Sequence, residues 1–211
     1  MLLKKLLILL LVLCSYGLQA QTNFRQIEIA LGKQRNEQKI SDNEYYSRLK
    51  SEAGVLSELN LWIESEDTIV VKSGTKKLSL RFPEKFQIVM PNGNKYAQAY
   101  LQNNTSDSLH IARIDATINK VKEYFFINKK WVAYRTNGTS TCGNSYFDSK
   151  LAPHRQLTLH LDNEDLTKGK NKIKYKIQIN LGNQVIESNV ITVRLYDSQL
   201  KRITESTLKT K

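Results

Sequence analysis

The sequence predicts a mainly β protein in which an antiparallel β-sandwich follows a short N-terminal helical hairpin. Three observations support this class. Apolar and polar residues alternate with a period of two from residue 56 onward, and turn residues interrupt the alternation about every ten residues. Residues 23–53 instead have apolar positions at helical spacing.

The N-terminus has the layout of a secretory signal peptide. Lys4 and Lys5 precede an apolar run, Leu6–Cys14, and a short tail ends at the small residue Ala20. The run is too short for a membrane span, which needs about 20 apolar residues. We therefore expect a signal peptide at 1–20, a secreted or periplasmic mature chain, and no transmembrane segment after signal removal.

Signal removal leaves Cys142 as the one cysteine of the mature chain. An intramolecular disulfide is then impossible, so the fold must depend on its hydrophobic core. An alternative is a lipoprotein anchored through Cys14, although Leu13 is not the small residue that usually precedes a lipidated cysteine.

The chain is strongly basic. Its formal net charge is +12, and 30 basic and 20 acidic residues remain after Lys4 and Lys5 are removed. Such a chain is attracted to anionic surfaces, such as lipopolysaccharide or acidic glycans. The sequence has no nucleic-acid recognition motif, so no nucleic-acid partner is expected.

Residues 21–55 predict a helical hairpin. Ser41 and Glu44 form a capping box that starts the second helix, and Gly54 ends it. The stretch Ile40–Tyr45 resembles small helical oligomerisation motifs whose second helix begins I-[ST]-x-x-E-[YF]. That resemblance implies an alternative function, a structural or assembly component that oligomerises through the hairpin. The other interpretation is a helix pair that only packs on the main domain.

Strands are predicted throughout the rest of the chain. Residues 56–84 are expected to form β-rich lead-in strands, 85–197 the sandwich, and 198–211 a basic C-terminal tail without a helical period. The clearest element is a hairpin closed by Gly182 and Asn183, which tolerate the positive φ that a two-residue turn needs. Its first strand places these residues on the inward face: Ile173, Tyr175, Ile177, Ile179 and Leu181.

The second half of the chain resembles bacterial immunoglobulin-like and fibronectin-III-like domains. The resemblance is carried by a pattern of leucine, proline, glycine, tyrosine and S-N-x-I-x-V positions: Leu151, Pro153, Leu157, Leu159, Gly169, Tyr175, Ser188, Asn189, Ile191 and Val193. It implies an immunoglobulin-like β-sandwich in which Tyr175 ties down the preceding corner and Trp131 packs in the core. It concerns architecture, which does not assign function.

The stretch from Trp131 through C-G-N-S-Y also resembles exported bacterial proteins, which implies export but no activity. Within it, Cys142 is expected to be a small, largely buried structural residue, with Gly143 and Asn144 forming the turn. Two alternatives stay open: a disulfide to another protein, and a thiol-dependent enzyme that uses Cys142 as nucleophile.

The sequence offers little support for catalysis or metal binding. It contains no H-E-x-x-H, C-x-x-C or G-x-S-x-G motif. His154 and His160 are predicted on the outward face of one strand, roughly 20 Å apart, which is too far for one ion. The acidic stretch 162–165 is interpreted as a polar turn. We expect no metal, no cofactor and no enzymatic activity.

A row of lysines is the main positive signal. Lys172, Lys174 and Lys176 should project from one strand face about 7 Å apart, where they can follow a polyanion or simply remain solvated. Together with Asn144 and Tyr146 they form the predicted binding surface. The predicted function is an exported, non-catalytic binding or interaction module that contacts an anionic glycan or an envelope protein.

Overall fold

The computed structural model describes residues 23–69, 78–136, 138–162 and 166–207. It confirms the predicted class, since two short helices precede a region dominated by antiparallel sheets. The predicted signal peptide and residues 163–165 of the acidic stretch lie outside the described residues. The described residues divide into two compact units, one formed by those within 23–56 and Tyr196–Arg202, and the other by those within 57–195 and 203–207.

The first unit contains the predicted helical hairpin. Helix α1 spans 23–36 and helix α2 spans Asp42–Ser51. The Ser41 side chain accepts a hydrogen bond from the Glu44 amide at 3.2 Å, which satisfies one of the free donors at the start of α2. Gly54 follows α2 with a φ of +67°. The predicted start and end of the second helix are thus confirmed.

A third helix, α3 (Asp197–Thr207), begins in the first unit. The Ser198 hydroxyl donates to the Ser51 carbonyl at 2.7 Å, and Arg202 donates to the Ala53 carbonyl at 2.8 Å. A Cβ at Gly54 would lie 2.4 Å from the Ser198 carbonyl oxygen, so this approach requires glycine.

The prediction of a tail over 198–211 without a helical period was therefore wrong for its described part. The Gln199 side chain accepts a hydrogen bond from the Tyr196 amide at 3.0 Å. This is one of the two hydrogen bonds of a capping box, in which the third helical residue binds the backbone amide of the N-cap residue. Gln199 and Ile203, four residues apart, are both fully buried. The helix leaves little apolar periodicity in the sequence, because one of its two described buried positions is a polar glutamine.

The described residues of the second unit form thirteen strands in two antiparallel sheets. They are β1 (Leu61–Thr68), β2 (Leu78–Arg81), β3 (Gln87–Val89), β4 (Lys95–Asn103), β5 (Leu109–Ile114), β6 (Thr117–Ile118), β7 (Val121–Ile127), β8 (Lys130–Thr136), β9 (Tyr146–Leu151), β10 (Arg155–Asp162), β11 (Asn171–Leu181), β12 (Gln184–Glu187) and β13 (Ile191–Leu195). The eight-stranded sheet has the order β2-β4-β10-β1-β6-β5-β9, with β3 on β4. The five-stranded sheet has the order β12-β11-β7-β8, with β13 on β11.

The strands within 56–84 are part of this fold and not a separate lead-in. Strand β1 pairs with β10, and β2 pairs with β4. Leu61 and Leu80 each place a side chain in the core. The predicted boundary at residue 85 was wrong because a strand's partners lie far away in sequence, and the alternation within one strand does not identify them.

The core lies where the inward faces of the two sheets meet, as the alternation predicts. Tyr175 and Ile177 are fully buried, while Ile173, nearer the start of β11, is half-buried. Phe82 directly follows β2 of the eight-stranded sheet, and Tyr175 belongs to β11 of the five-stranded sheet. Their rings lie 6.3 Å apart. Gly182 adopts a φ of +61° in the turn between β11 and β12, so the predicted hairpin is confirmed.

Candidate functional site

The predicted lysine row lies on the outer face of the five-stranded sheet, together with aromatic residues of β7 and β8. The Lys174 ammonium lies 5.6 Å from the Phe126 ring centroid. The Lys176 ammonium lies 4.8 Å from the Trp131 ring centroid and 5.5 Å from that of Tyr124. We call this surface the lysine–aromatic face. It comprises Lys172, Lys174, Lys176, Arg194, Tyr124, Phe126 and Trp131.

Trp131 is on this face and not in the core. It is 36% exposed, and its ring packs edge-on against Phe126 with the centroids 5.3 Å apart. Phe125 fills the core instead, paired across the sheet with Tyr175. The predicted core position of Trp131 was wrong, because both Phe125 and Phe126 are apolar and alternation alone does not decide which one points inward.

The three lysines are not equivalent. Lys172 and Lys174 are exposed. The Lys176 side chain is only 14% exposed, and its ammonium lies 2.6 Å from a Glu187 carboxylate oxygen. Lys176 therefore has a carboxylate partner within the protein and less charge to offer a ligand.

Arg194 adds a cation that the sequence analysis did not include. Strand β13 pairs with β11 so that Arg194 stands directly opposite Lys172, and both residues are exposed. Like charges directly opposite each other destabilise a sheet. The signal was present in the sequence, since Arg194 alternates with the inward Val193 and Leu195.

Asn144 and Tyr146, the other predicted binding residues, lie elsewhere. Tyr146 begins β9 at the edge of the eight-stranded sheet, and Asn144 is exposed just before it. The Ser140 amide donates to the Tyr146 hydroxyl at 2.8 Å, and that hydroxyl donates to the Ser140 carbonyl at 3.0 Å. These two residues are therefore separate from the lysine row, and Tyr146 closes its own loop.

Cys142 is exposed, so the prediction that it is buried was wrong. A short 3-10 turn, Gly143–Ser145, follows it and places Ser145 in the interior, where Ser145 is 7% exposed. The loop thus re-enters the fold at Ser145 and not at Cys142. The Cys142 amide donates to the Ser140 hydroxyl at 3.2 Å.

Tyr175 is structural, but by a different contact from the one predicted. Its hydroxyl donates to a Glu123 carboxylate oxygen at 3.3 Å instead of tying down a backbone corner. Burial raises the pKa of Tyr175 well above its usual value, and the negative charge of Glu123 acts in the same direction. The phenol is therefore held in its protonated, donor form.

Glu123 is fully buried and forms an ion pair with Arg135. Arg135 donates from Nε to one carboxylate oxygen and from Nη2 to the other, the second at 3.1 Å. The register shifts between Lys122 and Tyr124, so that β8 has one extra residue and a β-bulge. Burial opposes the charged form of Arg135, but the Glu123 charge and hydrogen bond outweigh it and raise the pKa of Arg135.

The histidines do not form a metal site in the described part of the chain. Across residues 23–69, 78–136, 138–162 and 166–207, no group of three His, Cys, Asp or Glu side chains is placed to hold an ion. His154 is exposed in the turn before β10. His160 lies on the outward face as predicted, opposite the exposed Trp62, but it is only 5% exposed because Tyr96 stacks on its ring with the centroids 5.5 Å apart.

No protein-family model and no curated protein matches this sequence. Among the helices that the structure describes, none has the length and apolar character needed to cross a membrane.

Proposed function

We propose that the chain is an exported, non-catalytic binding module whose lysine–aromatic face contacts an anionic glycan of the cell envelope. The observation that carries this proposal is the placement of Lys172 directly opposite Arg194, with Lys174 two residues along the same strand. Holding like charges side by side costs free energy, and an anion bound between them offsets that cost.

The aromatic residues support binding by ordering the lysine side chains. Lys174 lies over Phe126, and Lys176 lies over Trp131 and Tyr124. A lysine that already rests on a ring has lost part of its rotamer freedom before the ligand arrives. Less conformational entropy is then lost on binding, which favours affinity.

We also propose that the second unit is an immunoglobulin-like β-sandwich, and its strand order supports this. The order β2-β4-β10-β1 corresponds to strands A-B-E-D of a constant-type domain, and β7, β11 and β13 correspond to C, F and G. The chain departs from that pattern in two respects. The D position is taken by β1, which comes first in the chain, and β6, β5 and β9 extend the same sheet beyond it.

Retention on immobilised heparin tests the proposed ligand class. We expect the K172Q/K174Q/R194Q variant to elute at clearly lower salt than the unchanged protein, because log affinity for a polyanion depends on the number of contacting cations. The matched control is K85Q/K95Q/K150Q, which removes the same charge from three exposed lysines outside the face. Equal shifts for the two triple variants would show that only net charge matters and would contradict the proposal.

Export has its own test. Expression of the full chain with fractionation of the cell envelope, followed by N-terminal sequencing, is expected to give a mature chain that begins at Gln21. Retention of residues 1–20 on a cytoplasmic product would contradict export, whatever the heparin result.

One observation favours a second function, assembly through the helical hairpin. Two apolar side chains on its helices are exposed, Ile29 at 64% and Tyr46 at 50%. If they form a contact between copies, the I29S/Y46S variant is expected to elute from gel filtration at a smaller size than the unchanged mature chain. An unchanged elution volume would remove this alternative.

A further inference from the structure

The outer face of the eight-stranded sheet has a cleft of about 410 Å³ that the sequence analysis did not predict. We call it the Trp62 cleft. It is lined by residues of three neighbouring strands and of two turns, among them Trp62, Glu64, Met90, Asn92, Tyr96 and His160. Trp62 is 41% exposed and stands directly opposite His160, in the middle of the sheet. An exposed indole is unusual on a sheet face that otherwise meets solvent with polar residues.

Hydrogen bonds hold both walls of the Trp62 cleft. On one side, the Met90 amide donates to the Asn94 carbonyl at 2.8 Å in the β3–β4 hairpin, whose Gly93 has a φ of +83°. On the other side, the Ile63 amide donates to the Ala116 carbonyl at 2.9 Å, in the turn between β5 and β6. The cleft is therefore largely preformed, as ligand sites usually are.

His160 brings a buried and unsatisfied polar atom to the Trp62 cleft. Its Nδ1 lies 3.6 Å from a Glu64 carboxylate oxygen. Its Nε2 is buried and has no hydrogen-bond partner among the described residues. Burial lowers the pKa of His160 although Glu64 opposes the shift, so the ring is neutral at pH 7. In the neutral ring Nε2 is either a donor or an acceptor, according to the tautomer, and in both cases it is a buried polar atom that lacks a partner among the described residues.

Glu64 reaches the Trp62 cleft because of a β-bulge. Ile63 pairs with Leu159 and Ser65 pairs with Thr158, so Glu64 is the extra residue of β1. The bulge lets this carboxylate lie beside His160 on the outer face, where Glu64 is 51% exposed. Bulges commonly redirect a side chain next to a functional site.

Two smaller clefts continue the Trp62 cleft on either side. One of about 240 Å³ shares Trp62 and is also lined by Glu58 and Asp115. The other, of about 210 Å³, shares Tyr96 and includes Asp162 and Lys95. Carboxylates thus predominate along this row, although the chain as a whole has a net charge of +12. The row favours a ligand with several positive or hydrogen-bond-donating groups.

We propose that the Trp62 cleft binds an oligosaccharide that carries free amino groups. The flat indole of Trp62 offers an apolar surface to the C–H face of a sugar ring. Glu64 receives an ammonium group, and His160 Nε2 pairs with a sugar hydroxyl, which can either donate or accept the hydrogen bond. The flanking clefts receive the neighbouring rings of the chain. This site is independent of the lysine–aromatic face, which has the opposite charge.

The two tryptophans allow the two surfaces to be observed separately. The chain has two tryptophans, Trp62 and Trp131, one on each surface. In the W131F variant, tryptophan emission reports on the Trp62 cleft alone. We expect a saturable change in this emission on titration with a glucosamine hexamer, and at least about tenfold weaker binding of the N-acetylglucosamine hexamer, which lacks the positive charges.

Glu64 accounts for this selectivity. The E64Q change in the W131F background is expected to weaken the glucosamine hexamer about tenfold and to leave the acetylated hexamer unchanged. E66Q is the matched control, since Glu66 is an exposed carboxylate of the same strand and does not line the cleft. Equal affinity for the two hexamers, no emission change with either, or tighter binding of hexalysine than of the glucosamine hexamer would each overturn the proposal.

Discussion

The outer faces of the two sheets each expose one tryptophan, and the surroundings of the two rings are opposite in charge. Trp131 on the five-stranded sheet lies under the Lys176 ammonium. Trp62 on the eight-stranded sheet lines clefts that also contain Glu58, Glu64 and Asp115. The two rings are similarly exposed, at 36% and 41%. Exposure alone therefore does not distinguish a ring that has a partner within the protein from one that is open to a ligand.

The difference lies in how the nearby polar groups are satisfied. In the five-stranded sheet, Lys176 pairs with Glu187, and the buried Glu123 pairs with Arg135. In the eight-stranded sheet, His160 Nε2 is buried and has no partner in the described part of the chain. Arg135 Nη1 in the five-stranded sheet is also buried and unpaired, but its guanidinium already binds Glu123 through Nε and Nη2, whereas the His160 ring makes no hydrogen bond among the described residues. Both sheets use a β-bulge. The bulge in β8 accompanies the buried ion pair of Arg135, whereas the bulge in β1 places Glu64 on the outer face.

The largest effect is expected from breaking the buried ion pair. The E123A change leaves Arg135 and the Tyr175 hydroxyl without their shared carboxylate. We expect the free energy of unfolding to fall by about 3–5 kcal/mol, because an unpaired buried charge remains. Urea denaturation followed by circular dichroism measures it. The E123L/R135M double variant, which removes both charges, should recover much of the loss. A double variant as unstable as E123A would show that the charges themselves are required.

The second-largest effect is expected when Trp131 is removed, and it should exceed the effect of removing Trp62. W131A removes the edge-on contact with Phe126 and the ring beneath Lys176. We expect a loss of about 1–2 kcal/mol in unfolding free energy from the aromatic pair, the cation–π contact and the buried area. W62A, measured in the same way, should cost less. A larger loss for W62A than for W131A would contradict this expectation, because Trp62 would then stabilise the fold more than Trp131 does.

Sequence alternation could predict much of the five-stranded sheet. Tyr175, Ile177 and Ile179 point inward as expected, and the lysines of β11 project to the other face. Alternation could not place Trp131, since its direction depends on the pairing of β7 with β11, which sets Phe125 opposite Tyr175. Pairing between strands is determined by tertiary packing and leaves little trace in a single strand.

The Trp62 cleft could not be predicted for a related reason. Trp62, Tyr96 and His160 come from strands that are distant in sequence and become neighbours only through the order β4-β10-β1. The bulge at Glu64 has no sequence signature in the alternating run around it. Three side chains that look like ordinary strand residues in the sequence therefore form a cleft only when the sheet is assembled.

A smaller effect concerns the pH dependence of stability at His160. The folded-state pKa of His160 is lowered from its usual 6.5 by burial, with Glu64 opposing the shift. The unfolded chain therefore takes up a proton at a higher pH than the folded chain, and stability falls as the pH drops below about 6.5. We expect urea midpoints to decrease between pH 7 and pH 5.5, and to decrease less in H160Q. If the urea midpoints of the unchanged protein and of H160Q depend on pH in the same way, His160 is solvated in the folded chain as freely as in the unfolded chain.

The smallest expected effects compare two lysines of the lysine–aromatic face. K176Q removes the ion pair with Glu187 and the contact with Trp131, and we expect a loss of about 0.5–1 kcal/mol in unfolding free energy. K172Q removes a charge that faces Arg194, and we expect a gain of about 0.3 kcal/mol. Raising the salt concentration should shrink both differences, because screening weakens attraction and repulsion alike. If K172Q instead destabilises the fold, the repulsion between Lys172 and Arg194 is absent, and with it the reason for an anion to bind there.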